Sequence, residues 1–437
     1  MRANKYVVHV EHSGSHWLVN MLSKTVLTVS KDIAREFLGV TEGTDRDVLH
    51  NKFGEALSTT LMYSSYFVPD SFDEIGRLKT IVNDATSSGD VFGLVISPTL
   101  ECNASCHYCF ESNVDKNSNL NDVGEILRLV NRNIQKYKWL TLQWFGGEPL
   151  LEKKYLLSVS EKIRQICDEN DVCFSGSIVT NGYLMSLDTA KELLDVGIKG
   201  AQVTLEGDQF FHDKVRKLST GGKTFSRIVN NIIDINGLID VKVRIHVTPY
   251  NIDSVKRLIK YLGEIKIKNY VTEVYFSPVF NYKTCSGKEG FVHDDKACFT
   301  VEGYAQIEPI LHKAAKENNL PLPDIFESDF SVCTAVNKNS IIVNQDSALY
   351  KCYFDLGDKG ESVGSLQSGI EQSNVWNKWA EYPIPRDDEC AECKLLPVCL
   401  GGCSKVWESS SSKNNSICST MKFNLAEMMN VHYGKNV

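Results

Sequence analysis

Thr99-Leu100-Glu101-Cys102-Asn103-Ala104-Ser105-Cys106-His107-Tyr108-Cys109-Phe110-Glu111 places three cysteines in a C-x3-C-x2-C spacing. The stretch follows Val91–Leu100, an apolar run that predicts a buried strand. A short loop can wrap three thiolates around one face of a cube-shaped 4Fe–4S cluster. Such a cluster has four irons and normally takes four cysteines. Three leave one iron open to a small chelating ligand. A zinc loop is the competing reading, but zinc knuckles usually bring paired C-x2-C units and histidines. Cys102, Cys106 and Cys109 are therefore the candidate cluster ligands and the candidate catalytic centre.

The chain has 437 residues, too many for one ordinary core, so two or three domains are expected. Its 42% hydrophobic and 23% charged residues are those of a soluble globular protein. No apolar run reaches the roughly 18–20 residues of a membrane span. Met1-Arg-Ala-Asn-Lys-Tyr6 lacks the apolar core of a signal peptide. A cytoplasmic location is expected, and there 14 cysteines argue for metal or cluster ligands over disulfides. The net charge of −8 argues against nucleic acid as the main partner.

Residues 1–88 hold no cysteine. Tyr6–His12 reads as a strand, Ser13-Gly14-Ser15 as a turn, and His16–Leu22 as the hairpin partner. Ser30 is a candidate N-cap for a helix through Leu38. Two weaker helical stretches follow, about 45–63 and 71–85. The sum is a small α+β module, and an exposed strand edge there suits capture of an extended peptide by strand addition.

From residue 91 to about 280 strands alternate with helices. The expected strands are Val91–Leu100, Trp139–Phe145, Cys173–Thr180, Ala201–Leu205, Val241–Val247 and Val271–Pro278. The expected helices are near Asp122–Tyr137, Lys153–Glu169, Leu187–Val196, Phe225–Gly237 and Ser254–Gly263. Repeated strand–helix units predict a parallel sheet covered by helices. In parallel barrels the chemistry sits at the C-terminal strand ends. The unusual local sequences fall there: Gly146-Gly147-Glu148-Pro149, Thr180-Asn181-Gly182, Thr204-Leu205-Glu206-Gly207 with His212-Asp213-Lys214-Val215-Arg216, and Arg244-Ile245-His246.

Further on, Cys285 and Cys298 lie in a bridging stretch, 285–332, which includes a helix from Val301 to Asn318. Cys167 and Cys173 sit in or beside barrel elements and read as structural. The C-terminal segment, 333–437, carries Cys333, Cys352, Cys390, Cys393, Cys399, Cys403 and Cys418. A zinc ribbon on Cys390, Cys393, Cys399 and Cys403 is the alternative to clusters there.

The C-x3-C-x2-C loop with Tyr108 before its last cysteine, followed by Gly146-Gly147-Glu148 at the next strand end, resembles the radical S-adenosylmethionine (SAM) enzymes. The C-terminal C-x2-C-x5-C-x3-C run resembles the SPASM extension. The resemblance implies a partial (β/α)6 radical SAM barrel over 89–284, flanked by a winged-helix-like module over 1–88 and a SPASM domain over 333–437. It implies three 4Fe–4S clusters, one binding S-adenosyl-L-methionine and two auxiliary. Cys390, Cys393, Cys399 and Cys418 would hold the outer auxiliary cluster. Cys333, Cys352 and Cys403 would hold the inner one, with Cys298 or Cys285 completing it or a site left open. Tyr108, Gly146, Gly147, Glu148, Thr180, Asn181, Glu206, Arg216 and Arg244 would contact S-adenosylmethionine. Glu206 and His246 depart from the aspartate and asparagine common at those positions in relatives, and Ser347 stands where a glycine is usual.

The resemblance points to maturases of ribosomally made peptides. Residues 1–88 would hold the precursor's leader, and the activity would be a side-chain cross-link (carbon–carbon, ether or thioether). The electron donor would be a ferredoxin or flavodoxin. Two other readings are an anaerobic sulfatase-type maturase making formylglycine, and a non-catalytic cluster or zinc protein that binds a peptide.

Overall fold

The computed structural model describes residues 1–87, 90–106, 109, 120–279, 298–326, 333–409 and 418–434. Tyr108 and Cys285 lie outside the described residues. The N-terminal module opens on an antiparallel sheet, β1 (Val7–His12), β2 (Ser15–Asn20) and β3 (Thr25–Val29). The third strand was not expected. Ser13 and Gly14 turn the hairpin with φ of 50° and 75°, the paired left-handed conformations of a tight hairpin turn. Helix α1 (Lys31–Leu38) starts where expected, Ser30 accepting from Ile33 N. The stretch 45–63 is two helices, α2 (Arg46–Phe53) and α3 (Glu55–Tyr63), divided at Gly54 with φ 75°. Helix α4 (Glu74–Ser87) leads to the barrel.

Six parallel strands follow in sequential order: β4 (Val91–Ile96), β5 (Trp139–Trp144), β6 (Cys173–Thr180), β7 (Ile198–Leu205), β8 (Asp240–Val247) and β9 (Glu273–Pro278). Between and after them lie α5 (Val123–Asn133), α6 (Lys153–Glu169), α7 (Leu187–Asp195), α8 (Gln209–Val215), α9 (Phe225–Ile235) and α10 (Ile252–Glu264). Strand β8 shows how the sheet is built. Val241, Val243, Ile245 and Val247 are buried in the main core, while Lys242, Arg244 and His246 alternate with them on the other face. Helix α9 answers with Phe225, Ile228, Val229, Ile232 and Ile235, one apolar stripe at helical spacing. Each such side chain contributes about 1.5–3 kcal/mol on burial.

Strand β4 is shorter than the apolar run because Pro98 has no N–H to donate to a ladder. Two further strands extend the sheet beyond β4: β10 (Ser340–Val343), parallel to it, and β11 (Leu349–Tyr350), antiparallel to β10. The C-terminal segment is thereby hydrogen-bonded to the first barrel strand. Helix α11 (Val301–Glu317) and helix α12 (Met421–Tyr433) pack together, His312 Nδ1 lying 2.9 Å from His432 Nε2. The N-terminal sheet shares a core with this region. Tyr6, Val10, Trp17 and Met21 are buried with Leu78, Phe326, Leu396 and Met429.

Candidate functional site

The cysteine loop is pinned across the end of β5. Gly147 N donates to Thr99 O (3.1 Å) and Glu148 N to Glu101 O (2.9 Å). Both glycines are required by close approach. A Cβ on Gly147 would stand 2.2 Å from Glu101 O, and one on Gly146 2.4 Å from Thr99 O. Gly146 also has φ 123°, a region closed to other residues. The loop is held from its other side by Ser105 N donating to Lys217 O (3.0 Å) and Ser219 N to Asn103 O (2.8 Å). Leu100 N donates to the Gln345 side chain (2.7 Å), so the segment after β10 supports the loop too.

Glu148 is fully buried. One carboxylate oxygen accepts from the Thr180 hydroxyl (2.8 Å) and Leu150 N (3.1 Å), the other from Asn181 N (2.8 Å). Burial raises its carboxyl above the usual range, against the pull of these donors and of Arg216. The Asn181 amide donates to Asn103 Oδ1 (2.7 Å) and lies 3.7 Å from Cys102 Sγ. Glu148, Thr180 and Asn181 thus meet beneath the first cysteine, joining the ends of β5 and β6 to the loop.

A second network sits at the ends of β7 and β8. Glu206 Oε1 accepts from Arg216 Nε (2.6 Å) and lies 3.0 Å from His246 Nδ1. Asn251 Nδ2 donates to the carbonyls of Glu206 (2.6 Å) and His246 (2.9 Å). His212, buried behind, meets Glu206 N through Nδ1 (3.4 Å) and Thr224 Oγ1 through Nε2 (3.1 Å). Because the Thr224 hydroxyl donates to Arg216 O (2.7 Å), the network assigns the His212 proton to Nε2. Burial lowers His212 to about 4 and lowers His246 as well, against the opposing pull of Glu206. Arg244 stands one strand pair away, its Nη2 donating to Ser277 Oγ (2.9 Å).

Arg216 links this network to the cysteines. Burial pushes the Cys106 thiol up, and the Arg216 charge pulls it back. Cys102 is pushed up by burial and further by Glu148 and Cys106. Such thiols are neutral by themselves, and a thiolate at those positions needs a metal's positive charge. The donor set therefore fits an iron cluster. Asn103, Ala104, Asn181, Tyr183 and Arg216 line a concavity beside the loop.

The C-terminal cysteines fall into two groups. Burial raises Cys333 and Cys352, with Cys403 acting on both in the same direction. Burial likewise raises Cys390, to about 11, and Cys418; Cys399 acts on both, and Cys393 on Cys418. These are the inner and outer sets of the sequence analysis. Among the described residues no three His, Cys, Asp or Glu side chains surround a single metal ion. Cluster thiolates stand farther apart than zinc ligands, because each binds its own iron. Phe299 N donates to Val279 O (3.0 Å), so the neighbouring Cys298 adjoins the end of the barrel. Two residues missed in the sequence belong to this region. Tyr353, beside Cys352, donates its hydroxyl to Gln143 Oε1 in β5 (2.7 Å). Lys351 is buried with its ammonium on the carbonyls of Asn337 and Ser340. Nothing in the local sequence marks either one.

Residues 96–262 match the model of the Radical SAM superfamily. The chain therefore carries a radical SAM domain and is an enzyme that works with a 4Fe–4S cluster and S-adenosylmethionine. It is similar to a cysteine-type anaerobic sulfatase-maturating enzyme of Clostridium perfringens, 23% identical over 75% of this chain and 94% of that protein. It is also similar to a probable GTP 3',8-cyclase of Methanocaldococcus jannaschii, 29% identical over 40% of this chain. The match spans little more than half of that cyclase, 56%. Among solved structures, anSMEcpe with bound AdoMet superimposes over 78% of this chain and 98% of its own, with TM-score 0.61 and 17% identity. Streptococcus suis SuiB bound to precursor peptide SuiA superimposes over 96% of this chain and 98% of its own, with TM-score 0.51 and 14% identity. Both share the fold. No helix among the described residues is long and apolar enough to cross a membrane.

Proposed function

We propose that the chain is a peptide maturase that joins side chains within a ribosomally made precursor. One observation carries this reading. The cysteine loop over the strand ends, two C-terminal cysteine sets and an N-terminal module packed against Leu396 of the outer set all occur in one chain. The cluster and S-adenosylmethionine together supply a 5'-deoxyadenosyl radical, which takes a hydrogen atom from a side-chain carbon.

The protein's own residues position and exclude. Cys102, Cys106 and Cys109 hold the catalytic cluster. Gly146 and Gly147 let β5 press against the loop, and Glu148 ties it to Thr180 and Asn181. Arg216, oriented by Glu206, offers its remaining N–H groups to the methionyl carboxylate. Cys390, Cys393, Cys399 and Cys418 hold one auxiliary cluster; Cys333, Cys352 and Cys403 hold the other. Residues 1–88 bind the leader, and a ferredoxin or flavodoxin supplies electrons.

The test is anaerobic incubation of the reconstituted enzyme with S-adenosylmethionine, dithionite and the short peptides encoded beside its gene. A cross-link appears as a peptide lighter by two hydrogens, together with 5'-deoxyadenosine. The similarity over 94% of the sulfatase-maturating enzyme's length favours a second reading, formylglycine formation. A cysteine converted to an aldehyde in the product would establish that one instead.

A further inference from the structure

Arg386 occupies a singular place among the C-terminal cysteines. Its chain neighbour Asp387 caps the helix Asp388–Glu392, accepting from Cys390 N at 2.8 Å. Its own guanidinium donates to Gly402 O (2.7 Å) and Cys403 O (3.4 Å). The ring of Tyr382 lies 4.4 Å from the guanidinium carbon and that of Trp407 5.3 Å. Gly401 makes the approach possible: a Cβ there would stand 2.5 Å from Arg386 Nε, and its φ is 83°. Nε–H is buried without a hydrogen-bond partner among the described residues.

One cation is thus clamped over the short link from Cys399 to Cys403. That link joins the outer cysteine set to the inner. Burial lowers the Arg386 pKa to about 10, while Cys399, Cys390 and Cys403 pull it back up. The side chain keeps its proton at neutral pH. Aromatic stacking and the forked donor geometry are features a lysine does not reproduce.

We infer that Arg386 is a positioning residue shared by both auxiliary clusters, its fixed positive charge raising the reduction potential of each. The inference rests on the reading that the two C-terminal cysteine sets hold 4Fe–4S clusters. Reduction adds one electron, and so one negative charge, to a cluster. A neighbouring cation stabilises the reduced form more than the oxidised one, and local charge is one of the protein's levers on cluster potential. Placing the charge on the connecting link lets one residue bias both couples.

The experiment is a potentiometric titration of the full-length holoenzyme, followed by electron paramagnetic resonance. Wild type, Arg386→Gln and Arg386→Lys are compared, with iron quantified in each. The barrel cluster is recognised by its spectral change on adding S-adenosylmethionine and serves as the control. In Arg386→Gln the reduced-to-oxidised ratio of at least one auxiliary cluster at fixed potential should fall about tenfold, equivalent to 59 mV for one electron. The barrel cluster should not move, and Arg386→Lys should stay within about threefold of wild type.

An unchanged ratio in Arg386→Gln overturns the inference, as does an equal shift of the barrel cluster. A shift in Arg386→Lys as large as in Arg386→Gln overturns it too. If Arg386→Gln loses its C-terminal iron, Arg386→Lys decides: retained iron with a near wild-type ratio supports the charge role. Iron loss or a tenfold shift in Arg386→Lys assigns Arg386 a structural role only. Wild type with about four irons per chain, one cluster's worth, would refute the auxiliary clusters themselves, a result separable from any effect of Arg386.

Discussion

Glu206 Oε1 lies 3.0 Å from His246 Nδ1, and these are two positions at which the chain departs from the pattern of its relatives. The departures are in contact. The extra methylene of Glu206 lets one carboxylate oxygen meet both His246 and Arg216. A histidine supplies a ring nitrogen where an asparagine would supply an amide. The pair is a joint solution for orienting Arg216, and each half is explained by the other.

Removing Glu206 should therefore be costly. Its side chain is 1% exposed and that of Arg216 15%. Glu206→Ala leaves a largely buried guanidinium without its carboxylate, a loss of about 3 kcal/mol. Anaerobic urea unfolding checks the stability. 5'-Deoxyadenosine formation should fall in parallel with a raised KM for S-adenosylmethionine. An unchanged KM would separate Arg216 from the methionyl carboxylate.

His212 makes stability depend on pH in a stated window. Its folded pKa, about 4, lies below the unfolded value near 6.5. Above pH 6.5 both states are neutral and the full stability is present. As pH falls from 6.5 to 4 the unfolded chain takes up a proton that the folded chain refuses, so stability declines by about 3 kcal/mol. His312, lowered to about 3, adds a decline of the same sign. Urea midpoints at pH 7 and pH 5 should differ less in His212→Gln than in wild type. An equal difference would take His212 out of the acid response.

Gly147→Ala tests the pinning of the loop. The added Cβ meets Glu101 O at 2.2 Å, and backbone on both sides leaves no flexible end to give way. The expected result is loss of close to four irons, one cluster at four irons each, with the C-terminal iron retained. Full iron content and normal 5'-deoxyadenosine yield would show that the contact is not needed.

Ser347 carries a smaller prediction. It stands where a glycine is usual, and its φ is 66°, a conformation costing a non-glycine residue about 1–2 kcal/mol. Its hydroxyl recovers part of this by bonding to Asn121 Oδ1 at 2.8 Å. Ser347→Gly should lie within about 1 kcal/mol of wild type, because strain relief and the lost bond offset each other. Ser347→Val loses the bond and keeps the strain, and its thermal midpoint should fall clearly.

Much of this was legible in the sequence because it is local. Alternating strand and helix periods gave the six barrel strands, and Ser30 marked its helix start by capping chemistry. The cysteine spacing sorted the two C-terminal sets correctly. What stayed hidden depends on contacts between distant segments. Strand β10 is four residues, Ser-Ile-Ile-Val, too short to show a period, and only pairing with β4 makes it a strand. Gly146 and Gly147 read as room for a ligand, whereas the atoms nearest to them are the backbone of the cysteine loop. The cysteine-free segment 1–88 read as separable. Tyr6 and Trp17, however, share a core with Leu396 and Met429, so its deletion uncovers an apolar face and point variants are the sounder probe.

The most direct test of the account is to replace Cys102, Cys106 and Cys109 together with alanine and measure 5'-deoxyadenosine after anaerobic reduction in the presence of S-adenosylmethionine. The account predicts none above background, with about eight irons, two clusters' worth, still bound by the C-terminal cysteines. Wild-type amounts of 5'-deoxyadenosine from that variant would contradict it.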